Sequence, residues 1–320
     1  MFNSWIKGLI KNNSNSKYTQ QDIFVVIILA RFGDALVGNG LFQNLKRLYP
    51  NSKTVCIINK PYYEVVKYQK DVDETIIFDK DGIHKGLFGM LRFVKNFPYK
   101  NIKCIFKESI KPRINILSML LNPEKIINYN DDTSIPTHER YNNLLKKYTD
   151  KEILNLPIVY NATDDIPEKF SNIIYKTKNY IGLCPISSHI RKDMPIEAAF
   201  SLIKKLNEDN FEVILLGNGN RTVEYANELE NKDSKFINLV NQTTIYELAQ
   251  VLRNCKCLIS VDTGTMHLGY ACNVPTVCLF NSNNIAGWAP CKSLYPHTEV
   301  IQSKNADDVL CACRSLLGVK

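Results

Sequence analysis

The chain has 320 residues, of which 45% are hydrophobic and 22% are charged, and 40 lysines and arginines against 32 acidic residues give a net charge of +8. This composition excludes collagen-like, coiled-coil and wholly disordered proteins, and the length is typical of two domains. The basic excess suits an anionic substrate or an anionic membrane surface, without choosing between them, and it is not concentrated as in a nucleic-acid-binding tail.

The ten cysteines predict free thiols in a reducing, cytoplasmic compartment. Cys56 and Cys278 lie inside apolar runs, where buried thiols are common. No CxxC pair occurs, and the two CxC pairs lack a second half at zinc-finger spacing, so no metal site is expected. The longest apolar run, at 23–30, is far too short to span a membrane.

Residues 1–21 are predicted to form an amphipathic segment followed by a polar linker. Lys7 and Lys11 interrupt the apolar residues, so the start is not expected to be a signal peptide. Apolar residues recur at helical spacing from Phe2 to Ile10, with lysines on the other side. Residues 1–12 are therefore expected either to contact an anionic membrane surface or to form a helix that packs on the protein itself or frays.

A first series of alternating strands and helices is predicted within a domain at 22–165. Helical periodicity occurs at 36–49 and 85–97, between runs that are apolar throughout. The buried strands are predicted at 23–30, 54–60, 74–79 and 102–106. Continuous apolar strands that alternate with helices are typical of a parallel sheet covered on both faces.

A second series is predicted within a domain at 175–302, and a helix that follows no strand at 303–320. Amphipathic helices are expected at 195–209 and 243–254. The strands are predicted at 180–186, 211–217, 236–240, 256–262 and 275–280. The sequence thus predicts an α/β fold with two doubly wound sheets.

The segment at 258–280 carries the most specific functional pattern. An apolar strand runs into Asp262, Thr263 and Gly264, and a helix that begins near Thr265 carries His267. The free N–H groups at such a helix start favour a phosphate, and strand ends in open parallel sheets are the usual ligand sites. The alternative is a capped turn in which His267 is an ordinary helix residue.

A carboxylate follows the first strand, in the sequence from Arg31 through Gly33 to Asp34. Over a cleft, Asp34 could accept a proton from a substrate hydroxyl; alternatively, it caps the next helix. The glycines here lack the GxGxxG spacing, which disfavours an NAD-dependent dehydrogenase.

Two further loops place polar groups at predicted strand ends. A diphosphate clamp could be formed by the hydroxyls and cations of Ser187, Ser188, Arg191 and Lys192, although a charged loop is also commonly just solvated. The turn at Gly217 leads into a helix with Glu224 in its first turn, where a carboxylate would receive a ribose hydroxyl or stabilise the helix dipole.

The order of these four motifs resembles the ADP-heptose:lipopolysaccharide heptosyltransferase family, glycosyltransferase family 9. The resemblance covers about residues 23–318, and its specific part is DTGTMHL with the following NVPTVCLF. The matching motifs are Gly33-Asp34, Lys192-Asp193-Met194-Pro195, Gly217 to Glu224, and Asp262-Thr263-Gly264 through His267-Leu268 to Val274-Pro275.

The resemblance implies a GT-B fold, in which two Rossmann-like domains face each other across a cleft and a C-terminal helix at 303–320 packs back on the first. It implies inverting, metal-independent transfer of a heptose or related sugar from an ADP-sugar, without a cofactor. The acceptor would be a lipid-linked oligosaccharide of a lipopolysaccharide or lipooligosaccharide core. The expected location is the cytoplasm, or the inner face of the cytoplasmic membrane, with no nucleic-acid partner.

The resemblance also implies roles for the matching residues. Asp34 would be the general base, and Lys192 with the N–H groups of Thr263 and Gly264 would take up charge on the diphosphate. Glu224 would bind the ribose. The other donor-site residues are expected to be Ser187, Ser188, Gly217, Asp262, Thr265 and His267, of which Asp262 and His267 would orient the phosphate loop.

The sequence departs from the family in the half that would hold the acceptor. ALVGNG follows Asp34, and FKES occupies 106–109. The expected acceptor-site residues are Arg31, Gly33, Lys107, Lys111 and Arg113. The last three would meet an acidic sugar or a lipid phosphate, or else form a solvated helix face.

Two other functions remain open from the sequence. One is a different GT-B enzyme, such as a protein-directed glycosyltransferase or a nucleotide-sugar epimerase. The other is a non-catalytic nucleotide-binding module. The transferase hypothesis requires that Asp34 and the loop opening at Thr263 face each other across a gap wide enough for a sugar.

Overall fold

Two parallel β-sheets organise the protein in a computed structural model that describes residues 21–128, 135–281 and 285–319. The segment at 1–12, which was predicted to contact a membrane or the protein itself, lies outside the described residues. Within the part that is described, no helix is long and apolar enough to cross a membrane. The two doubly wound sheets confirm the predicted α/β fold.

The first sheet has the strand order β3-β2-β1-β4-β5, with all neighbours parallel. Its strands are β1 (Ile23–Ile28), β2 (Lys53–Asn59), β3 (Glu74–Phe78), β4 (Ile102–Lys107) and β5 (Lys125–Asn128). All six residues of β1 are buried, as expected for a central strand covered on both faces. The short strand β5 was not predicted.

Six helices accompany this sheet within the described residues. They are α1 (Phe32–Val37), α2 (Asn39–Leu48), α3 (Tyr63–Lys67), α4 (Gly86–Asn96), α5 (Pro112–Leu120) and α6 (Thr137–Lys146). Helices α4 and α5 share one face of the sheet, where Met90, Phe93, Ile114 and Leu117 pack in one core cluster with Ile27 of β1. Residues of α1, α2 and α6 belong to the core on the other face.

The second sheet has the order β11-β10-β9-β6-β7-β8, again with parallel neighbours. Its strands are β6 (Tyr180–Cys184), β7 (Glu212–Leu215), β8 (Ile237–Asn238), β9 (Cys255–Val261), β10 (Thr276–Leu279) and β11 (Thr298–Ile301). The helices are α7 (Ile196–Glu208), α8 (Asn220–Asn231), α9 (Ile245–Arg253), α10 (Gly264–Ala271), α11 (Ile285–Trp288) and α12 (Ala306–Leu317).

The C-terminal helix α12 corrects one expectation. It packs on α7 and on β9, β10 and β11, and its apolar residues Val309, Leu310 and Cys313 belong to the core of the second sheet. Arg314 fixes it further through two bonds to the carboxylate of Asp209, at 2.7 and 2.8 Å. Its principal contacts are therefore with the second sheet and not with the first, and it follows a strand, β11, that was not predicted.

The core on the inner face of the first sheet is continuous with residues of the second sheet. The connecting segment after α6 takes part in this contact. The N–H of Tyr160 donates to the carbonyl of Ala271 on α10, and its hydroxyl donates to the carbonyl of Glu64 on α3, both at 2.9 Å. The exact domain bounds at 165 and 175 remain predictions.

Candidate functional site

Each sheet has one point at which the strand order reverses along the chain. In the first sheet this point lies between β1 and β4, and in the second it lies between β6 and β9. The carboxyl ends of strands beside such a point form the usual ligand-binding crevice of open α/β sheets. The loops that leave these four strands carry Asp34, Glu108, Lys192 and Asp262.

Asp34 lies in the first turn of α1, immediately beyond β1. Its Oδ2 accepts a hydrogen bond from the N–H of Arg31 at 3.2 Å, so it does stabilise the helix start as the alternative interpretation expected. Burial raises the pKa of the Asp34 carboxyl, and the charges of Arg31, Arg140 and Lys111 act in the opposite direction. Asp34 therefore both stabilises the start of α1 and lies just beyond the carboxyl end of β1.

Glu108, which the sequence analysis did not single out, lies beside Asp34 at the end of β4. Its side chain is buried, and its Oε1 accepts a hydrogen bond from the N–H of Leu29 at 2.7 Å. Its Oε2 is buried without a hydrogen-bond partner. Burial, followed by the charge of Asp34, raises the pKa of Glu108 to about 8. At neutral pH this site edge therefore combines a largely protonated Glu108 with Asp34, whose pKa burial also raises.

Lys192 and Asp262 form an ion pair at the reversal point of the second sheet. The Asp262 side chain is 6% exposed, whereas that of Lys192 is 25% exposed. Lys304 stabilises the loop that carries Lys192, because its Nζ donates to the carbonyls of Lys192 and Asp193 at 2.8 Å. The ammonium is thus held by a carboxylate that immediately precedes the N-terminus of α10.

His267 lies inside α10 and is almost completely buried, at 2% exposed. Its Nδ1 shares a hydrogen bond with the hydroxyl of Tyr270, and its ring lies 5.9 Å from that of Trp288 between centroids. Burial lowers the pKa of His267 to about 4, so the imidazole is neutral at physiological pH. This environment matches the interpretation of His267 as a satisfied helix residue.

Ser187 and Ser188 differ in what they contact. Ser187 is buried, and its hydroxyl donates to the carbonyl of His189 at 3.0 Å, so it shapes the loop. Ser188 is exposed, and its Oγ accepts a bond from Nη1 of Arg31 at 3.0 Å; the same nitrogen lies 3.0 Å from Nε2 of His189. Arg31 therefore joins the loop after β1 to the loop after β6.

A second ion pair, between Arg221 of α8 and Asp193, fixes the same loop. Asp193 also accepts a bond from the N–H of Ser187 at 2.9 Å, and Arg221 donates to the Ser187 carbonyl at 3.1 Å. The sequence analysis missed both residues, although Asp193 stands inside the matched Lys192–Pro195 motif.

The glycine turn before α8 adopts backbone angles that favour glycine. Gly217 has φ +149° and Gly219 has φ +98°. Glu224 is exposed on α8 but lies beyond its first turn, so its predicted first-turn position is wrong, because the helix begins at Asn220. Thr222 is buried, and its hydroxyl donates to the carbonyl of Asn218 at 3.1 Å. The exposed carboxylate of Glu224 is accessible to a ligand; its predicted contact with ribose remains a prediction.

The loops after β1 and β9 face each other and touch. A Cβ placed on Gly264 would lie 2.2 Å from Cδ1 of Phe32, and one on Gly33 would lie 3.0 Å from Cδ2 of His267. Thr263 is half-buried and Thr265 is buried at this contact. The expected gap is therefore closed where Phe32 meets Gly264, because each glycine allows the opposite loop to approach its backbone.

The three cations expected on the acceptor side occupy different environments. Lys107 is 4% exposed and bonded to Asn115, and burial lowers its pKa, so it belongs to neither an open surface nor a solvated helix face. Lys111 is exposed immediately before α5, and its charge favours the ionised forms of Asp34 and Glu108. Arg113 is half-buried, with Nη1 3.5 Å from the carbonyl of Lys80.

Among the described residues, no group of three or more His, Cys, Asp or Glu side chains is arranged to hold a metal ion. The expectation of metal-independent chemistry therefore rests on the family resemblance and remains a prediction.

Comparison with known proteins shows which family this chain matches. The model of "Glycosyltransferase family 9 (heptosyltransferase)" matches residues 120–314, more than half of the chain. Among curated proteins, lipooligosaccharide heptosyltransferase 2 of Campylobacter jejuni serotype O:6 is 28% identical over 128 residues, and that of serotype O:2 is 29% identical over the same length. Each alignment spans 38% of this chain and only 40% of the relative.

Solved structures match over nearly the whole chain. A family 9 glycosyltransferase from Veillonella parvula superposes with a TM-score of 0.82 at 19% identity, covering 95% of this chain and 99% of that one. The ADP-heptose lipopolysaccharide heptosyltransferase II of E. coli superposes with a TM-score of 0.74 at 17% identity, covering 93% and 98%. These similarities establish the shared two-sheet fold, which is the GT-B architecture predicted from the sequence.

Proposed function

Since the chain belongs to glycosyltransferase family 9, we propose that it is an inverting glycosyltransferase that moves a heptose or a related sugar from an ADP-sugar to a lipopolysaccharide or lipooligosaccharide core. One observation carries the proposal. The base candidate Asp34 and the cation Lys192 lie in loops at the reversal points of two sheets, and Arg31 joins these loops. A carboxylate and an ammonium so placed suit the two ends of a sugar transfer. Because Phe32 closes the gap against Gly264 in this structure, the proposed transfer requires these two loops to separate and admit the sugar.

The first half of the reaction is the activation of the acceptor. A hydroxyl of the acceptor gives its proton to Asp34, and its oxygen forms a bond to the anomeric carbon of the donor sugar. Burial makes Asp34 a stronger base than an exposed aspartate, because it raises the pKa of the carboxyl. Lys111 and Arg31 keep the ionised form available before the proton is taken.

The second half is the departure of the nucleotide. As the bond from the anomeric carbon to the phosphate oxygen breaks, the electron pair and negative charge pass to the diphosphate. Lys192 and the free N–H groups at the start of α10 lie in the region where the donor half is proposed to bind. Positive groups that are already held in place stabilise this charge without reorganisation.

The proposed binding partners are the nucleotide-sugar donor and a lipid-linked oligosaccharide acceptor. Glu224 is available for the ribose because it is exposed on the helix after the glycine turn. The proposed location is the cytoplasm, at the inner face of the membrane that holds the acceptor lipid.

Release of ADP from ADP-heptose, with core oligosaccharides and with peptides as acceptors, tests this function. We expect release only with the core oligosaccharides, and thermal stabilisation by ADP in preference to UDP, GDP or CMP. Peptide-dependent release would indicate a protein-directed transferase. Stabilisation by UDP alone would favour a different GT-B enzyme, and ADP binding without turnover on any acceptor would favour a non-catalytic module.

A further inference from the structure

Helices α4 and α5, with the loops that lead into them, expose a group of large apolar side chains on the outer side of the first sheet. We call this group the α4–α5 face; its members are Ile83, Leu87, Phe88, Leu91, Ile110, Ile116 and Met119. Phe88 is 88% exposed, and the other exposures range from 42% to 65%. Among the described residues, these seven are half of the fourteen large hydrophobic side chains that are exposed. Such a concentration marks an interaction surface.

The core does not require these side chains. The inward sides of the two helices are already occupied by Met90, Phe93, Ile114 and Leu117, which are at most 5% exposed. Leu87 and Leu91 are one helical turn apart, on the opposite side of α4 from Phe93, and α5 packs beside α4. The α4–α5 face is thus a second apolar surface, directed away from the protein.

The same stretch of chain has a net charge nearly equal to that of the whole protein. Residues 82–121 contain eight lysines and arginines and one acidic residue, so 40 residues supply +7 of the net +8. The acidic residue is the buried Glu108. Lys85, Arg92, Lys95 and Lys111 are exposed around the apolar side chains. Apolar side chains surrounded by cations suit the surface of an anionic bilayer, because the apolar groups can enter the acyl boundary while the cations contact the lipid phosphates.

The position of this surface relates it to the candidate site. Helix α4 begins, and α5 is entered, at the carboxyl edge of the sheet, and the Arg113 contact with the Lys80 carbonyl joins the two entrances. Lys111, next to Ile110, is close enough for its charge to act on Asp34 and Glu108. The α4–α5 face therefore starts beside the edge at which the acceptor is proposed to bind.

We propose that the α4–α5 face docks on an anionic lipid bilayer and holds the acceptor edge of the first sheet at the level of the membrane. None of its residues belongs to the segment at 1–12. The docking itself does not depend on the chemistry of the site, whereas its use in presenting a lipid-linked acceptor rests on the proposed function.

Sedimentation of the full-length protein with vesicles tests the docking. We use phosphatidylcholine vesicles with and without phosphatidylglycerol, and the variant Leu87→Ser/Phe88→Ser. The matched control is Ile173→Ser/Val223→Ser, which removes two exposed apolar residues remote from the α4–α5 face. We expect binding to the anionic vesicles, a loss of about tenfold or more in the first variant, and no loss in the control. Lys85→Gln/Lys95→Gln should weaken binding and reduce its dependence on salt.

Three results would overturn the docking proposal. The first is equal vesicle binding by the parent and by Leu87→Ser/Phe88→Ser. The second is binding that Phe2→Ser/Trp5→Ser abolishes completely while the α4–α5 variant keeps it, which would assign the contact to the N-terminal segment alone. The third is a dimer in light scattering that Leu87→Ser/Phe88→Ser dissociates, without vesicle binding by the parent, which would assign the surface to a second copy of the chain.

ADP release with two forms of the acceptor separates this proposal from the proposed function. Leu87→Ser/Phe88→Ser should keep parental turnover on a soluble core oligosaccharide and lose it on the same acceptor embedded in vesicles. Equal turnover by parent and variant on the embedded acceptor would refute the presenting role. Vesicle binding as expected, with no ADP release on either acceptor, would refute the proposed function and leave the docking supported.

Discussion

The two edges of the candidate site lie on similar sheets but differ in how their ionisable side chains are stabilised. At the first, burial keeps two neighbouring carboxyls, Asp34 and Glu108, at raised pKa. At the second, carboxylates are matched with cations, as Asp262 is with Lys192, and burial leaves His267 neutral. One edge is thus suited to taking up a proton and the other to holding an anion, so fold alone does not determine the chemistry of an edge.

The comparison is tested most strongly by Asp34→Asn. The asparagine side-chain oxygen retains the acceptor for the Arg31 N–H, so the fold should persist, whereas the proposed base is removed. We expect ADP release to fall about 10²–10⁴-fold, the usual contribution of a general base. ADP should still stabilise the protein thermally, because its proposed contacts lie on the second edge. Turnover within about threefold of the parent would be incompatible with the base assignment.

Lys192→Met should have the next largest effect, because it removes the cation from the second edge. The Asp262 carboxylate, 6% exposed, would lose its ion-pair partner, so we expect a loss of about 1–3 kcal/mol in the free energy of unfolding. Donor affinity should fall at least about tenfold.

The double variant Lys192→Met/Asp262→Asn is the control for this effect. It should recover much of the stability, since the unpaired carboxylate is gone, but not the donor affinity. Unchanged saturation by the donor in Lys192→Met would remove this residue from the diphosphate site.

The contribution of the first edge to the free energy of unfolding should decrease as the pH rises. The folded protein keeps the Glu108 proton to about pH 8, whereas an unfolded glutamate releases it near its ordinary pKa of 4.5, so stability is lost between these values. Glu108→Gln keeps an acceptor for the Leu29 N–H and does not titrate. Urea unfolding at pH 5.5 and 8.5 should therefore show a smaller alkaline loss in the variant, by a few kcal/mol; parallel losses would argue against the buried acid.

The contribution of the second edge to the free energy of unfolding should decrease as the pH falls. His267 has a pKa of about 4 in the folded protein and 6.5 as an ordinary imidazole, so the unfolded chain binds the proton first as the pH falls. Stability contributed by neutral His267 is present above pH 6.5 and is lost toward pH 4. His267→Asn should reduce this acid loss by about 1–3 kcal/mol, measured as urea unfolding at pH 5 and 7. An unchanged slope would mean that His267 does not titrate differently on folding.

The sequence predicted the long elements of both sheets because their apolar runs and helical periods are local properties. It missed β5 and β11, which have only four residues each, and α5, whose apolar residues do not keep to one side. The packing of α12 was taken from the family resemblance, and its own apolar residues place it on the second sheet.

The candidate site was predicted only as a set of separate loops. Asp34 and Lys192 lie in loops after strands that the apolar runs of the sequence predict. The residues that contact these loops come from distant parts of the chain. Asp262 is 70 residues from Lys192, and Ser188 is 157 residues from Arg31. Glu108 was overlooked because FKES looks like a departure from the family and only the fold shows that this glutamate is buried.

The contact of Phe32 with Gly264 limits how the two halves of the protein can come together. Since an added Cβ at Gly264 would lie 2.2 Å from the Phe32 ring, even an alanine there would act as a wedge between them. A Gly264→Ala variant would therefore require the Phe32 ring or one of the two loops to move, so the missing methyl group is what permits this close approach.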